Sequence, residues 1–263
     1  MPTPNADPIA EPITGFDTDV DAEIEVDNGF FDAAAFSASA LSDWRKLAAT
    51  IDHTLLKPEA TRTQVENLCD EAVRYRFACA MINPVWTATA AAMLAGTGVP
   101  VGVVIGFPLG ASLASTLRQE AQTLTRLGAK ELDMVLSVGQ LKSGEYKAVE
   151  RSIRGAAEVA HHHGAILKVI LETCLLSMEE KLRASEIAIS AGADFLKTST
   201  GFSTGGATPA DVALLRGVAG SRAGVKASGG IRTLADAKAM LEAGASRIGA
   251  SASVAIVREL GAE

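Results

Sequence analysis

The sequence predicts an α/β fold, a single (β/α)8 TIM barrel preceded by an acidic, flexible N-terminal extension. From about Ala48 onward, eight short apolar runs alternate with longer stretches of helical periodicity. Several of the helical stretches end at a glycine directly before the next apolar run. The chain has 263 residues, 48% of them hydrophobic, which is enough to bury the core of one such barrel.

The first 44 residues differ in composition from the rest of the chain. They hold ten Asp or Glu and no Lys or Arg, whereas the remainder holds 21 acidic and 24 basic residues. We therefore predict two units, an acidic N-terminal extension over 1–44 and a TIM-barrel domain over 45–263. The mildly basic barrel suits a small anionic substrate, and its charge is too low to indicate a nucleic-acid partner.

Each predicted strand is a short apolar run bounded by turn residues. In chain order the runs are "ATIDHTLL", "FACAMIN", "VPVGVVIGF", "KELDMVLSV", "AILKVILET", "ADFLKTST", "GVKASGG" and "SRIGAS". Helical patterns are predicted over 62–76, 113–127, 146–163, 178–191, 209–218 and 234–242. An open, doubly wound sheet is the alternative, but no GxGxxG follows the first strand.

Two lysines, Lys197 and Lys226, stand at the carboxyl ends of the sixth and seventh predicted strands. In a TIM barrel the active site lies at these strand ends. A single lysine there is more often a surface residue, but two on adjacent strands, each followed by a glycine-containing turn, indicate a shared pocket. Burial and a neighbouring cation lower the pKa of a lysine, which is what a Schiff-base nucleophile requires.

Carboxylates at strand ends would complete such a site. Asp133 interrupts an apolar run in the fourth strand, where burial favours a paired, proton-relaying role over a solvated edge position. Asp52 and Thr54 share one face of the first strand, and we expect Asp52 to orient a lysine and Thr54 to bind a hydroxyl. Helix capping remains the alternative for this pair.

Three glycine-rich loops, 200–208, 228–233 and 249–253, follow the last three strands. Their backbone N–H groups and hydroxyls, beginning with Thr200, lie before predicted helices, where anions bind. Barrels commonly bind phosphate near their last two strands. We therefore predict a phosphate site at these loops.

These motifs together resemble the deoxyribose-phosphate aldolase family over about residues 50–255. The resemblance is carried by "DHTLLKPEAT", "IGFPLG", "ELDMVLSVGQLKSGEY", "LKVILET", "ADFLKTSTGFSTGGAT", "VKASGGIRT" and "SRIGASAS". It implies reversible cleavage of 2-deoxy-D-ribose 5-phosphate to D-glyceraldehyde 3-phosphate and acetaldehyde. Lys197 then matches the Schiff-base lysine, Lys226 the second lysine and Asp133 the proton relay.

The resemblance also implies how the substrate is held. Asp52 and Thr54 match the polar pair of the first strand, and five further residues match the phosphate-binding positions. These five are Gly201, Gly229, Gly230, Gly249 and Ser251. The covalent imine with Lys197 replaces any cofactor, and no metal is expected. A phosphosugar and acetaldehyde are the expected small-molecule partners, and the protein is expected to form a homodimer.

The chain departs from the family at Met81, where many members have Cys, and at Ala252, where some have Ser. It also lacks the C-terminal Tyr of some members. No apolar run is long enough to span a membrane and no signal peptide is recognisable, so we expect a cytoplasmic protein without a membrane partner.

Two other functions remain open. One is a different Schiff-base phosphosugar aldolase of the transaldolase type. The other is a barrel that binds phosphosugars without catalysis.

Overall fold

The computed structural model describes residues 31–263, which form a closed barrel of eight parallel strands in sequential order. The first strand pairs with the last, so the predicted TIM barrel is confirmed and the open sheet is excluded. The strands are β1 (Ile51–Leu55), β2 (Cys79–Ile82), β3 (Val101–Ile105), β4 (Glu131–Val135), β5 (Ile166–Ile170), β6 (Phe195–Lys197), β7 (Gly224–Ser228) and β8 (Arg247–Ala250).

Helices connect the strands and cover the barrel. They are α1 (Ala33–Ala40), α2 (Trp44–Ala48), α3 (Arg62–Tyr75), α4 (Thr87–Leu94), α5 (Ala114–Arg126), α6 (Val138–Lys142), α7 (Tyr146–His162), α8 (Met178–Ser190), α9 (Pro209–Ala219), α10 (Leu234–Glu242) and α11 (Ser253–Glu259). All six predicted helices are confirmed. Among the others, α1 and α4 are built mostly of small residues and so lack a strong 3.6-residue pattern, while α2 and α6 span five residues each.

The last part of the predicted extension, residues 31–44, includes the helix α1. In α1 the carboxylate of Asp32 accepts a hydrogen bond from the Ala35 N–H at 2.8 Å, which caps the helix. Ala40 is buried and Phe36 packs against the core, so this segment gains enough apolar burial to be ordered. Residues 1–30 of the predicted extension lie outside the described residues.

The barrel interior is divided into an apolar part and a charged part. Cys79 and Met81 of β2 and Val104 of β3 form the apolar part together with Leu56. Gly102 makes room for it, because a Cβ there would lie 2.4 Å from both Cys79 Sγ and Met81 Cε. The charged side chains come from the other six strands, β1 and β4 to β8. No helix among residues 31–263 is both long and apolar enough to cross a membrane.

Helix α8 begins with a capping box that offers a test of local stability. The Glu180 N–H donates to Ser177 Oγ at 3.2 Å, and the Ser177 N–H donates to Glu180 Oε2 at 2.7 Å. We expect Ser177→Ala to lower the free energy of unfolding by about 1 kcal/mol, because it removes one of the two caps. Urea denaturation would measure this change. Ser177→Thr keeps the hydroxyl and serves as the control, and equal losses in both variants would contradict the capping role.

Candidate active site

Seven charged side chains from six strands meet in the barrel interior, joined by ion pairs. We call this set the ion cluster, and its members are Asp52, Glu131, Asp133, Lys168, Lys197, Lys226 and Arg247. Strand register explains why they meet: Lys197 pairs with Lys226 across β6 and β7, and Asp133 pairs with Lys168 across β4 and β5. Side chains in register on adjacent strands point to the same face of the sheet.

Asp133 is the centre of the cluster. Its Oδ2 accepts hydrogen bonds from Lys197 Nζ at 2.7 Å and from Lys226 Nζ at 2.6 Å. Its Oδ1 accepts a third from Lys168 Nζ at 2.8 Å. Burial alone would raise the pKa of this carboxyl group, but the three ammonium groups outweigh it and hold the pKa well below its usual range. Asp133 is therefore ionised at neutral pH.

A second layer of the cluster lies beside Asp133. Lys226 Nζ forms an ion pair with Asp52 Oδ2 at 2.5 Å, although this contact is not oriented as a hydrogen bond. Arg247 Nη1 donates to Asp52 Oδ1 at 2.7 Å. Asp52 thus contacts Lys226, one of the two lysines that the sequence places at the site. The helix-capping alternative is wrong for Asp52, because it is fully buried and the cap of α3 is Thr61.

The ammonium group of Lys197 differs electrostatically from that of Lys168. Burial lowers the pKa of Lys197 to about 8; Asp133 opposes this shift, whereas Lys226 and Lys168 add to it. Burial also lowers the pKa of Lys168, but the carboxylates of Asp133, Glu131 and Asp52 outweigh it. The pKa of Lys168 is therefore raised well above its usual value. An appreciable fraction of Lys197 is therefore a neutral amine at neutral pH, whereas Lys168 remains an ammonium.

A cavity of about 390 Å³ opens above the ion cluster at the carboxyl ends of the strands. Lys197 and Lys226 form part of its wall. The sequence-predicted substrate residues that also line it are Thr54, Thr200, Gly201, Gly229, Gly230, Gly249 and Ser251. Asp133 and Asp52 do not line the cavity. A larger groove of about 910 Å³ borders α5 on the outside of the barrel and contains no member of the ion cluster.

Two close backbone approaches shape the wall of the cavity. A Cβ on Gly206 would lie 2.2 Å from the carbonyl oxygen of Gly229, so the loop after β6 packs directly on the loop after β7. A Cβ on Gly249 would lie 3.0 Å from Lys226 Cε. Gly249, predicted only as a phosphate-binding residue, therefore also makes room for the Lys226 side chain.

The sequence analysis did not predict four charged residues of the site: Glu131, Lys168, Glu172 and Arg247. Lys168 interrupts the apolar run "AILKVILET" as Lys197 interrupts its own strand, so the same signal was available. Glu172 is buried after β5 and its carboxylate accepts hydrogen bonds from the N–H and the hydroxyl of Thr200 at 3.2 and 2.5 Å. Arg247 is the first residue of β8, and the local sequence does not indicate that its partner Asp52 lies on β1.

Two carboxylates of the ion cluster and the nearby Cys79 thiol are spaced closely enough to bind a metal ion. Ligand atoms of Asp52, Cys79 and Glu131 lie within 4.8 Å of one another. However, Lys168 Nζ lies 2.5 Å from Glu131 Oε2, and Arg247 is bonded to Asp52, so two cations already neutralise these carboxylates. Burial also raises the pKa of the Cys79 thiol well above its usual value, which disfavours the thiolate that a metal would bind. The donor set therefore fits a metal poorly.

Comparison with known proteins places this geometry in a family. Residues 46–258 match the family model described as "DeoC/LacD family aldolase". Deoxyribose-phosphate aldolase of a Geobacillus species is 55% identical over 211 residues, which cover 80% of this chain and 94% of that protein. Deoxyribose-phosphate aldolase of Clostridium perfringens is 52% identical over 214 residues, covering 81% and 95% of the two chains.

Solved structures agree with the sequence comparison. A crystal structure described as a putative deoxyribose-phosphate aldolase from Coccidioides immitis is 39% identical with a TM-score of 0.80, covering 90% of each chain. The deoxyribose phosphate aldolase of Aeropyrum pernix, described as having a unique tetrameric structure, is also 39% identical with a TM-score of 0.80, covering 87% of this chain and 96% of that one. The chain belongs to the DeoC/LacD aldolase family.

Proposed function

We propose that this aldolase reversibly cleaves 2-deoxy-D-ribose 5-phosphate to D-glyceraldehyde 3-phosphate and acetaldehyde through an imine on Lys197. The observation that carries the proposal is a buried lysine, facing a cavity, whose pKa is lowered to about 8. The relatives named for this reaction are more than 50% identical to the chain, which supports the substrate. No cofactor or metal takes part in the steps proposed below.

Phosphate binding positions the substrate in the cavity. Gly201, Gly229 and Gly230 have φ angles between 84° and 85°, which allow their loops to fold closely around an anion. Ser251 supplies a hydroxyl at the same wall, and Arg232 and Lys57 add positive charge. Binding energy from the phosphate end can thus hold the aldehyde carbon near Lys197 Nζ.

Imine formation begins when the neutral amine of Lys197 attacks C1 of the open-chain sugar. The carbinolamine that forms loses water, and the nitrogen becomes a protonated imine. Asp133 is hydrogen-bonded to both Lys197 and Lys226 and is ionised. It can therefore accept and return protons at the carbinolamine, together with Lys226 and water.

Carbon–carbon cleavage follows from the imine. A water molecule linked to Asp133 and Lys226 accepts the proton of the C3 hydroxyl, and the C2–C3 bond breaks. D-Glyceraldehyde 3-phosphate is released, and the electron pair of the broken bond forms an enamine. Protonation of the enamine carbon and addition of water to the imine then release acetaldehyde and restore the amine. Thr54 lines the cavity at β1 and is placed to bind a substrate hydroxyl during these steps.

Replacement of the nucleophile tests the proposal. We expect Lys197→Arg to lower kcat for deoxyribose phosphate cleavage at least about a thousandfold, because a guanidinium cannot form the imine. Coupled detection of glyceraldehyde 3-phosphate would measure the rate. Lys238→Arg, at an exposed lysine paired with Glu242, is the matched control and should retain full activity. Cleavage at the wild-type rate by Lys197→Arg would contradict the proposal.

The contact between the loops after β6 and β7 can be tested separately from the chemistry. We expect Gly206→Ala to raise KM for the phosphorylated sugar at least about tenfold, because its Cβ would displace the Gly229 backbone. Imine formation with acetaldehyde, which carries no phosphate, should remain near the wild-type rate. Gly217→Ala in α9, where a Cβ meets no atom within 4 Å, is the control. An unchanged KM in Gly206→Ala would count against the assigned phosphate site.

A homodimer in the cytoplasm is proposed from the resemblance. Light scattering at working concentration should give about twice the mass of one chain. A mass of one chain would contradict the dimer, and a mass of four chains would agree instead with the tetramer named for the Aeropyrum pernix protein.

The alternative functions make different predictions in the same assays. A transaldolase-type enzyme would release products from a ketose phosphate, and a noncatalytic barrel would bind phosphosugar without forming an imine. The lowered pKa of Lys197 and its contact with Asp133 favour catalysis over simple binding.

A further inference from the structure

Arg247 and Glu131 lie at the end of the ion cluster that is remote from the substrate cavity. Each is the first residue of its strand, β8 and β4 respectively, and neither lines the cavity. Arg247 Nη1 lies 2.7 Å from Asp52 Oδ1 and 3.5 Å from Glu131 Oε1. Only 16% of the Arg247 side chain and 8% of the Glu131 side chain are exposed. Their charges are therefore placed where solvent screens them weakly.

The charges of the ion cluster do not balance when every member is ionised. The cluster contains three carboxylates, from Asp52, Glu131 and Asp133, and four basic side chains. The basic members are Lys168, Lys197, Lys226 and Arg247. When Lys197 loses its proton, three cations face three anions. Because net charge is unfavourable in a buried site, the composition of the cluster favours the neutral amine at Lys197.

We propose that Arg247 and Glu131 are positioning residues that act through charge to set the fraction of Lys197 present as the nucleophilic amine. This inference rests on the proposed function, because it takes Lys197 as the nucleophile. Arg247 supplies the third cation of the balanced cluster, and Glu131 supplies the third anion. Neither side chain lines the substrate cavity.

Two chains of contacts join these residues to Lys197. Arg247 binds Asp52, and Asp52 pairs with Lys226, whose Nζ shares Asp133 Oδ2 with Lys197. On the other side of the cluster, Glu131 pairs with Lys168, and Lys168 binds Asp133 Oδ1. Loss of the Arg247 charge therefore stabilises the ammonium form of Lys197, and loss of the Glu131 charge destabilises it.

The substitutions tested below leave the other titratable groups near Lys197 in place. Cys79 on β2 is a neutral thiol, since burial raises its pKa well above the usual value. Glu172, after β5, is held by the backbone and hydroxyl of Thr200. Lys57 and Arg232 lie at the mouth of the cavity and are solvent-exposed.

The pH dependence of imine formation tests the inference, because the two residues should act in opposite directions. The full chain is mixed with acetaldehyde between pH 6 and 10, the imine is reduced with cyanoborohydride, and the rate of adduct formation is read by intact mass. We expect Arg247→Met to move the midpoint of this profile up by about 0.5 pH unit or more and Glu131→Gln to move it down by a similar amount. The double variant should return toward the wild-type midpoint.

Matched variants separate charge from structure. Arg247→Lys keeps the positive charge and should keep a midpoint near that of the wild type, and circular dichroism checks the folding of each variant. If Glu131→Gln does not fold, the difference in midpoint between Arg247→Met and Arg247→Lys is sufficient to test the inference. If Arg247→Met forms the adduct more slowly than the wild type but with the same midpoint, the role of Arg247 is purely structural and the inference is overturned. Absence of any Lys197 imine in the wild type would overturn the proposed function as well.

Discussion

The interaction on which the site depends is the set of three hydrogen bonds between the Asp133 carboxylate and the ammonium groups of three lysines. A buried carboxylate without cations would be strongly unfavourable, and so would three buried lysines without an anion. Asp133 joins them in one cluster, because β4 lies close enough to β5, β6 and β7 across the narrow barrel. The cluster gives two of its lysines different pKa values, lowered for Lys197 and raised for Lys168.

Packing around the cluster explains how the barrel accommodates long charged side chains. Gly249 on β8 leaves room for Lys226. Gly224 on β7 leaves room for Phe195, because a Cβ on Gly224 would lie 2.2 Å from that ring. Cys79 and Met81 of β2 fill the remaining interior with apolar atoms. The charged and apolar side chains are in close contact, because Cys79 lies beside Asp52 and Glu131.

Much of the fold could be predicted from local sequence, because the glycine stops and the strand alternation are local signals. Lys197, Lys226 and Asp133 could be predicted for the same reason, since each breaks an apolar run. Lys197 is the last residue of β6, whereas Lys226 and Asp133 are the middle residues of β7 and β4. Arg247 could not be predicted, because its partner Asp52 is 195 positions away in the chain and is reached only when β8 closes on β1. Helix α1 was missed because its small residues give no amphipathic pattern, although it packs on α10.

We propose that Lys197, alone among the lysines of the cluster, is the covalent nucleophile. Reduction with borohydride in the presence of acetaldehyde, followed by tryptic digestion and mass spectrometry, tests it most directly. We expect an added ethyl group, about 28 Da, on Lys197, seen as a missed cleavage joining "ASEIAISAGADFLK" to "TSTGFSTGGATPADVALLR". An adduct on Lys168 or Lys226 instead, or one scattered over surface lysines, would show that Lys197 is not the activated nucleophile.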